Sequence, residues 1–279
     1  DGVKTPFYTK TFTLPFGSKI IDIKCDHSKP ELISNQGNID SPSNYFDIPE
    51  DVIEENTVEN NQWYKWQTGG GIKNGKNVFF VTFTFYPLNY EESKSSLLYT
   101  KDFEISIKYE KPSDLYFEGN EYDFIIISPT SFKKSLEKLV EHKNNLGIST
   151  KLVTLDEIYG DTYFTVDGYD QAEEIKYFIF NAFKEWGIDF VLIVGNINKV
   201  PIRKTWMGRG EYQRTPLTDL YYADICFGNG SFCSWDSNGN GYYGEISHGI
   251  TDDIVDLYAD VYLGRLACNN IYEVNTVID

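Results

Sequence analysis

The chain is poor in positive charge, in histidine and in long apolar runs. Lys and Arg number 25 against 42 Asp and Glu, for a formal charge of −17. That balance argues against nucleic acid, whose phosphates would be repelled. It equally disfavours anionic membrane surfaces, while it suits cations or basic peptides. No run approaches the roughly 18 apolar residues of a membrane span. The opening Asp1-Gly-Val-Lys-Thr-Pro6 carries neither an initiator Met nor a signal-peptide pattern, which points to a processed or trimmed chain. The four cysteines, Cys25, Cys226, Cys233 and Cys268, show no C-x-x-C and no zinc spacing. Cys226 and Cys233 flank a Gly-rich turn, so they either pair in an oxidising compartment or stay as buried thiols. No G-x-G-x-x-G opens a helix after a strand and there is no P-loop, which leaves little for a nucleotide. Gly69-Gly-Gly71 has no helix behind it and reads as loop.

What is present is a folded chain. At 279 residues, with 41% hydrophobic and 16% aromatic content, it has the material for two cores. The first part reads as β: Lys10–Leu14, Ile20–Lys24, Val78–Phe85 and Phe103–Tyr109 are rich in β-branched and aromatic residues, several alternating with period two. Asn74-Gly75 is a strong hairpin signal ahead of the third run. These strands, with no helical period between them, imply a β-sandwich. An acidic, Asn-rich stretch from Asn35 to Asn61 reads as a long exposed loop. Trp63, Tyr64 and Trp66 beside it can form a sugar-stacking platform, although core packing is the commoner use of such residues.

After Glu110–Asp114 the period changes. Asp123-Phe-Ile-Ile-Ile-Ser128, Ser149–Val153 and Phe190–Val194 are short apolar runs, as strands buried on both faces should be. Between the first two, Ser128 can cap and Pro129 open a helix whose Phe132, Leu136, Leu139 and Val140 share a face, with Gly147 ending it. Asp170 and Glu173 form a capping-box pattern ahead of Ile175, Phe178, Ile179, Ala182, Phe183 and Trp186, and Gly187 stops that helix. Strand–helix–strand–helix–strand predicts a parallel sheet with right-handed crossovers, whose working crevice lies beyond the carboxyl ends of the strands. Ile271 to Ile278 predicts a further helix.

The segment from Ser234 to Glu245 reads Ser-Trp-Asp-Ser-Asn-Gly-Asn-Gly-Tyr-Tyr-Gly-Glu. Calcium takes about six to eight oxygen ligands from a sharply turned loop. Asp236, Asn238, Asn240, Tyr242 and Glu245 are the candidate ligands, and Gly241 supplies the positive φ the turn needs. The spacing follows the opening of an EF-hand loop, but position twelve falls on Ser247 and the closing acid, Glu245, at position ten. The plainer reading is a Gly/Asn/Asp turn held by side-chain bonds to its own backbone. Two more carboxylate sets stand nearby: Asp219 with Asp224 around Tyr221-Tyr222, and Asp252-Asp253 with Asp256 and Asp260 before the last strand. Such pairs can do acid–base work or complete a metal shell, but on so acidic a chain they read first as solvated or cation-attracting. Glycosidase chemistry is a remote reading of them. Arg265 beside them reads as a structural ion-pair partner rather than a substrate clamp.

In order, Asp123-Phe-Ile-Ile-Ile-Ser-Pro129, Leu139–Gly147, Phe190-Val-Leu-Ile-Val-Gly195, Val200-Pro201, Asp219-Leu-Tyr-Tyr-Ala-Asp224 and Asp260-Val-Tyr-Leu-Gly-Arg265 resemble the gingipain-type cysteine peptidases. The set covers about residues 120–279. The resemblance implies residues 1–112 as a β-sandwich propeptide-like domain, 113–121 as a linker, and 122–279 as the first part of an α/β caspase-like catalytic domain with a mostly parallel sheet, incomplete in this chain. It further implies calcium, secretion or a cell-surface location, and a protein or peptide substrate. Its Cys-His dyad lies downstream of the Asp-Val-Tyr-x-Gly-Arg segment, so no catalytic residue is expected here and the remaining C-terminal half becomes a partner. Of the histidines at hand, His27 lies near Cys25, His142 sits on a helix, and His248-Gly249 precedes the Gly-Arg segment without an apolar strand before it. Asn196 stands where relatives commonly have Asp. The alternative is a non-catalytic extracellular structural or adhesive protein that reuses the fold.

Overall fold

A computed structural model describes residues 6–33, 63–91, 96–112, 121–209, 212–247 and 250–278. The Asn35–Asn61 stretch, all but one residue of the 113–121 linker, and His248 lie outside the described residues. The chain falls into two compact units. The first comprises Asp1–Leu14, Ser18–Thr68 and Phe80–Lys111; the second comprises Pro15–Gly17, Gly69–Phe79 and Pro112–Asp279.

The N-terminal strands are β1 (Tyr8–Pro15), β2 (Lys19–His27), β3 (Glu31–Ile33), β4 (Tyr64–Lys73), β5 (Lys76–Phe85), β6 (Leu88–Glu91), β7 (Ser96–Tyr99) and β8 (Phe103–Glu110). They form three small sheets, ordered β1-β5-β4, β2-β8 and β3-β7-β6. Alternation along β5 buries Phe79, Val81, Phe83 and Phe85 and leaves Thr82 and Thr84 half-buried. On that second face, Thr82 and Thr84 hydrogen-bond across to Thr11 and Thr9 of β1. Asn74 and Gly75 both take positive φ, 54° and 72°, as a tight hairpin requires. Trp63 and Tyr64 are engaged in packing, against His27 at 5.1 Å and Phe83 at 5.2 Å, while Trp66 stays exposed. Gly69–Gly71, expected as loop, are strand residues of β4 and buried. The reason is close approach: a Cβ on Gly70 would stand 2.8 Å from the Gly228 nitrogen.

The second unit is α/β. Its first elements are β9 (Phe124–Ser128), a 3-10 turn (Thr130–Phe132), α1 (Lys133–Asn145), β10 (Thr150–Thr154), α2 (Leu155–Tyr159), α3 (Gln171–Trp186) and β11 (Phe190–Val194). There follow β12 (Arg203–Arg209), β13 (Tyr212–Arg214), β14 (Leu217–Thr218), α4 (Leu220–Ala223), β15 (Tyr243–Ser247), β16 (Ile250–Thr251), β17 (Tyr262–Leu266) and α5 (Ile271–Ile278). Four strands form one wholly parallel sheet, ordered β10-β9-β11-β17. Successive residues of β9 serve opposite faces. Ile125 and Ile127 join the core under α2 and α3, while Ile126 joins Phe132, Leu136 and Val274 under α1 and α5. Helices therefore cover both faces, and the chain reverses direction across the sheet between β9 and β11. A second sheet, β13-β12-β15-β16 with β14 on β12, lies in residues to which the sequence pattern assigns no strand. Among the described residues no helix is long and apolar enough to cross a membrane.

Helix ends follow the sequence with two differences. Ser128 does not cap α1: its hydroxyl turns to the Pro129 carbonyl, and the 3-10 turn takes up the first helical step. Asp170 caps α3 by accepting the Glu173 amide at 2.9 Å, but Glu173 reaches back to the Tyr169 amide rather than to that of Asp170. Asp170 also holds Arg203 through two bonds of 2.7 and 2.8 Å. Asp170→Ala is therefore expected to destabilise by more than the ~1 kcal/mol of a lost cap, because it leaves a buried guanidinium unpaired. Urea midpoints of Asp170→Ala and of Glu173→Ala, which touches only the cap, test this; equal shifts would refute it.

Candidate functional site

The carboxyl ends of β11 and β17 are tied by Arg265. Its Nε and Nη2 each donate to Asp219 at 2.7 Å, Nη1 to the carbonyls of Gly195 (2.9 Å) and Val200 (3.0 Å), and Nη2 also to that of Pro201 (3.2 Å). All five guanidinium donors are thus committed. This is a clamp on the protein's own loop, with nothing left over for a substrate carboxylate. Tyr222 adds a bond from its hydroxyl to the Pro201 carbonyl at 2.8 Å. Asn196 is likewise spent locally: its side chain donates to Asn269 at 3.0 Å and accepts the Asn198 amide.

Beneath this rim lies a group of buried charges that sequence reading did not foresee. Asp224 and Asp260, expected to be solvated, are buried, as is Asp253. Asp260 Oδ2 accepts the amides of Ile225 and Cys226, both at 2.9 Å. Asp224 Oδ2 accepts the Trp235 indole N–H at 2.8 Å and the Leu257 amide at 3.1 Å. Among the described residues, their other oxygens, Asp224 Oδ1 and Asp260 Oδ1, are buried with no N–H donor, and the Lys176 ammonium is buried with no acceptor oxygen. That ammonium lies over the rings of Tyr221 (4.1 Å) and Trp235 (5.3 Å). Arg203 stacks on Tyr243 at 3.5 Å. Burial lowers Lys176 to about 8, with Cys233, Asp224 and Asp260 holding it up. Burial raises Asp256 to about 8, with the Asp224 charge adding to it, and raises Asp260 to about 7 against the pull of the Cys226 amide. Nothing in the local pattern announces Lys176: it sits among helix residues where any long side chain serves, and only the crossing of α3 over Tyr221 and Trp235 buries it.

The 236–245 loop is a set of side-chain-to-backbone bonds. Asp236 accepts the amides of Asn240 and Gly241, each at 3.0 Å; Asn238 also accepts the Asn240 amide, and Asn240 accepts that of Tyr242 at 2.8 Å. The Asn240 amide group donates to Glu245 at 2.7 Å. Gly239, Gly241 and Gly244 hold positive φ. Asp253 anchors the loop from below, accepting the amides of Ser237 (2.8 Å) and Glu245 (2.9 Å). All five candidate ligands therefore lie in one turned segment. Among the described residues no group of three or more His, Cys, Asp and Glu side chains is placed to hold a metal ion; the loop's donors are two carboxylates plus amide and backbone oxygens.

The cysteines are free thiols. Cys226 pairs with Phe232 in an antiparallel bridge while Cys233 bonds to Ile225, one step along, so the two side chains leave opposite faces of the ladder. Their pairing, one of the two sequence readings, is ruled out by that register. Burial raises all four thiols above their ordinary range, away from the thiolate a nucleophile needs. His27 Nδ1 donates to the Ser28 carbonyl at 2.9 Å and its ring lies tilted against Trp63; His142 is exposed on α1.

A family model described as Peptidase family C25 matches residues 117–279. Among curated protein sequences none matches the chain. One similar solved structure is that of dimeric latent PorU from Porphyromonas gingivalis, at 12% identity and a TM-score of 0.37 over 77% of this chain. The chain spans 20% of the length of that structure.

The raised Asp256 sets a pH dependence. In the folded state it keeps a proton up to about 8 that the unfolded chain, with its ordinary value of 3.8, has already released. The native state then binds more protons, so stability falls as pH rises between those limits. Lys176 acts only above about 8, in the opposite direction. Asp260, raised to about 7, adds a decline of its own below that pH, so melting curves from pH 4 to 8 should show Asp256→Asn falling less steeply than the parent chain; parallel curves would refute the assignment.

Proposed function

The chain belongs to peptidase family C25, and from that premise we propose that it is the N-terminal portion of a secreted, calcium-binding cysteine endopeptidase of gingipain type. Residues 1–112 serve as a β-sandwich propeptide-like domain, 113–121 as a linker, and 122–279 as the first part of a caspase-like catalytic domain. The observation that carries the reading is the family match over 117–279. Its support in the molecule is that four of the six motifs, through Gly195, Val200-Pro201, Asp219 and Arg265, meet in the Arg265 clamp at the carboxyl ends of a parallel sheet, where α/β folds do their work.

Cysteine peptidases act through a thiolate that attacks the peptide carbonyl carbon, while a histidine protonates the leaving amine; water then hydrolyses the thioester. Three of the four thiols are buried, Cys25 is half-buried, and all four are raised, so the reading assigns the reacting Cys and His to residues beyond position 279. The remaining half of the catalytic domain is then the partner of this one. The substrate is a protein or peptide, and a charge of −17 favours basic ones.

Calcium belongs to the same proposal. The 236–245 loop offers a hard, all-oxygen donor set, Asp236, Asn238, Asn240, Tyr242 and Glu245, on a backbone turned by three glycines at positive φ. A bound ion would draw the two carboxylates and the amide oxygens together and brace the loop.

Two measurements test these readings separately. The full-length protein that contains this chain should cleave peptides in an iodoacetamide-sensitive way, and Cys25→Ser and Cys268→Ser should leave that activity intact. Loss of activity in either variant would relocate the nucleophile, and absence of any peptidase activity would favour an extracellular structural or adhesive role. For the ion, chelation should lower the melting temperature and calcium restore it, by about 2.7 kcal/mol at a hundred times Kd. Asp236→Ala should abolish the shift; an unchanged melting point on chelation returns the loop to a plain turn.

A further inference from the structure

The tip of the β4–β5 hairpin, Gly69–Phe79, is part of the α/β unit and rests on the acidic segment that leads into β17. The Gly70 amide donates to Asp256 Oδ2 at 2.7 Å, the Ile72 amide to the Ala259 carbonyl at 3.1 Å, and the Asn77 side chain to the Asp260 carbonyl at 2.8 Å. The fit is tight. A Cβ on Gly69 would stand 2.6 Å from the Tyr258 ring, and one on Gly228 would stand 2.1 Å from the Phe79 ring. The bed on which this tip rests is itself unusual: Asp224 accepts the Leu257 amide at 3.1 Å, which brings the neighbouring Asp256 carboxyl up against it.

Asp224 Oδ1 is buried and meets no N–H donor among the described residues. Its other oxygen already takes two, from Trp235 and Leu257, which fixes the carboxyl group in place. A buried acceptor left empty costs about 1–3 kcal/mol, so native structures fill it. The adjacent group able to fill it is the carboxyl of Asp256, and only when that carboxyl carries a proton. With the proton present, Asp256 donates to Asp224 and still accepts the Gly70 amide. Without it, two carboxylates face each other in a partly dry site, and the Asp256 side chain must turn away and drop Gly70.

We propose that the Asp224–Asp256 pair shares one proton and that this proton latches the Gly69–Phe79 tip onto the 256–260 segment. The other charged and titratable groups around the pair are accounted for. Asp260 lies just before β17, and the thiols of Cys226 and Cys233 lie on the segment after α4; Lys176 approaches from α3; Tyr258 lies on the same loop as Asp256. From the hairpin itself the approaching group is a backbone amide, while Lys73 and Lys76 flank the exposed turn. Lys176 favours the ionised form of Asp224, which is the form that accepts the shared proton. The raised Asp256, near 8, is consistent with a latch closed in acid and neutral solution and opening as the medium turns alkaline.

Amide hydrogen exchange across the chain, corrected for the intrinsic pH dependence of exchange, tests this between pH 6 and 9.5. Protection of the Gly70 and Ile72 amides should fall by up to about tenfold per pH unit above the transition, as release of one proton demands, while β9 and β11 amides stay protected. Asp256→Asn, whose amide group can donate to Asp224 and accept from Gly70, should hold the tip closed throughout. Asp224→Asn removes the repulsion by another route and should flatten the profile too. Gly70→Ala, which pushes a Cβ onto the Gly228 backbone, should leave the tip open at every pH. An unchanged alkaline fall in both Asn variants would overturn the proposal. So would loss of protection on adding a chelator at neutral pH, which would make the bridge a metal ion rather than a proton.

Discussion

The second unit depends on the full commitment of one guanidinium. Arg265 stands on β17, and through five bonds it fixes Asp219, Gly195, Val200 and Pro201, residues drawn from the loop after β11 and from the approach to α4. In a parallel sheet each strand end departs into its own loop, and nothing in the ladder itself holds those loops in register. A planar fork with fixed donor directions can do so where a lysine cannot, because its bonds go to several acceptors at once in set geometry. The sequence motifs that stand out along this part of the chain, Val200-Pro201, Asp219 with Tyr222, and Asp260 through Arg265, are the pieces of this one assembly. They hold the loops at the carboxyl ends of the sheet in place.

The clamp explains why so many ions can be carried inside. With Tyr221 and Tyr222 locked by α4 and Pro201, the rings of Tyr221, Trp235 and Tyr243 enclose Lys176 and Arg203 on their faces. Aromatic faces partly replace the water these cations lose. Arg203 is further neutralised by Asp170, whose carboxyl burial alone would raise but which the guanidinium and the Glu173 amide hold low. Lys176 has no such direct partner. Its charge and that of the Asp224–Asp260 pair face each other through a dry interior without touching, so each is sensitive to the protonation of the rest.

The strands and helices of the α/β unit were legible because each is short, apolar and bounded by a strong signal: Gly147 and Gly187, both left-handed in the structure, mark the helix ends where pattern alone places them. So were β1, β2, β5 and β8, through their alternation. Residues 203–251 were not, because β12 to β16 are short strands interrupted by turns, and β12 meets β15 with a register shift between Thr205 and Met207 that breaks the alternation. Gly69–Gly71 misled for a physical reason: a glycine run looks like loop, but here it permits two backbones to meet. At the candidate site, the calcium-type spacing and the structural role of Arg265 could be read directly. The burial of Asp224, Asp253 and Asp260 could not, since an acid among acids gives no hint of the amides that wait for it: Ile225 and Cys226 for Asp260, Ser237 and Glu245 for Asp253.

The exposed loop and the buried acids are joined mechanically. Trp235, held at a positive φ of 69° that few non-glycine residues adopt, places its indole N–H on Asp224 and is followed at once by Asp236. Asp253, between the two acid sets, gives one oxygen to Ser237 and the other to Glu245. The strain at Trp235 persists because the indole is buried among Tyr221 and its neighbours and hydrogen-bonded to a fixed carboxylate. Any draw on Asp236 or Glu245 is therefore felt at Trp235 and Asp253, and through Trp235 at Asp224. Coupling of this kind needs no long pathway, only two short covalent steps and two carboxylates that each hold both sides. The loop is thus the outer end of the same charged assembly that Arg265 and the aromatic cage keep in place, and its geometry is set from beneath.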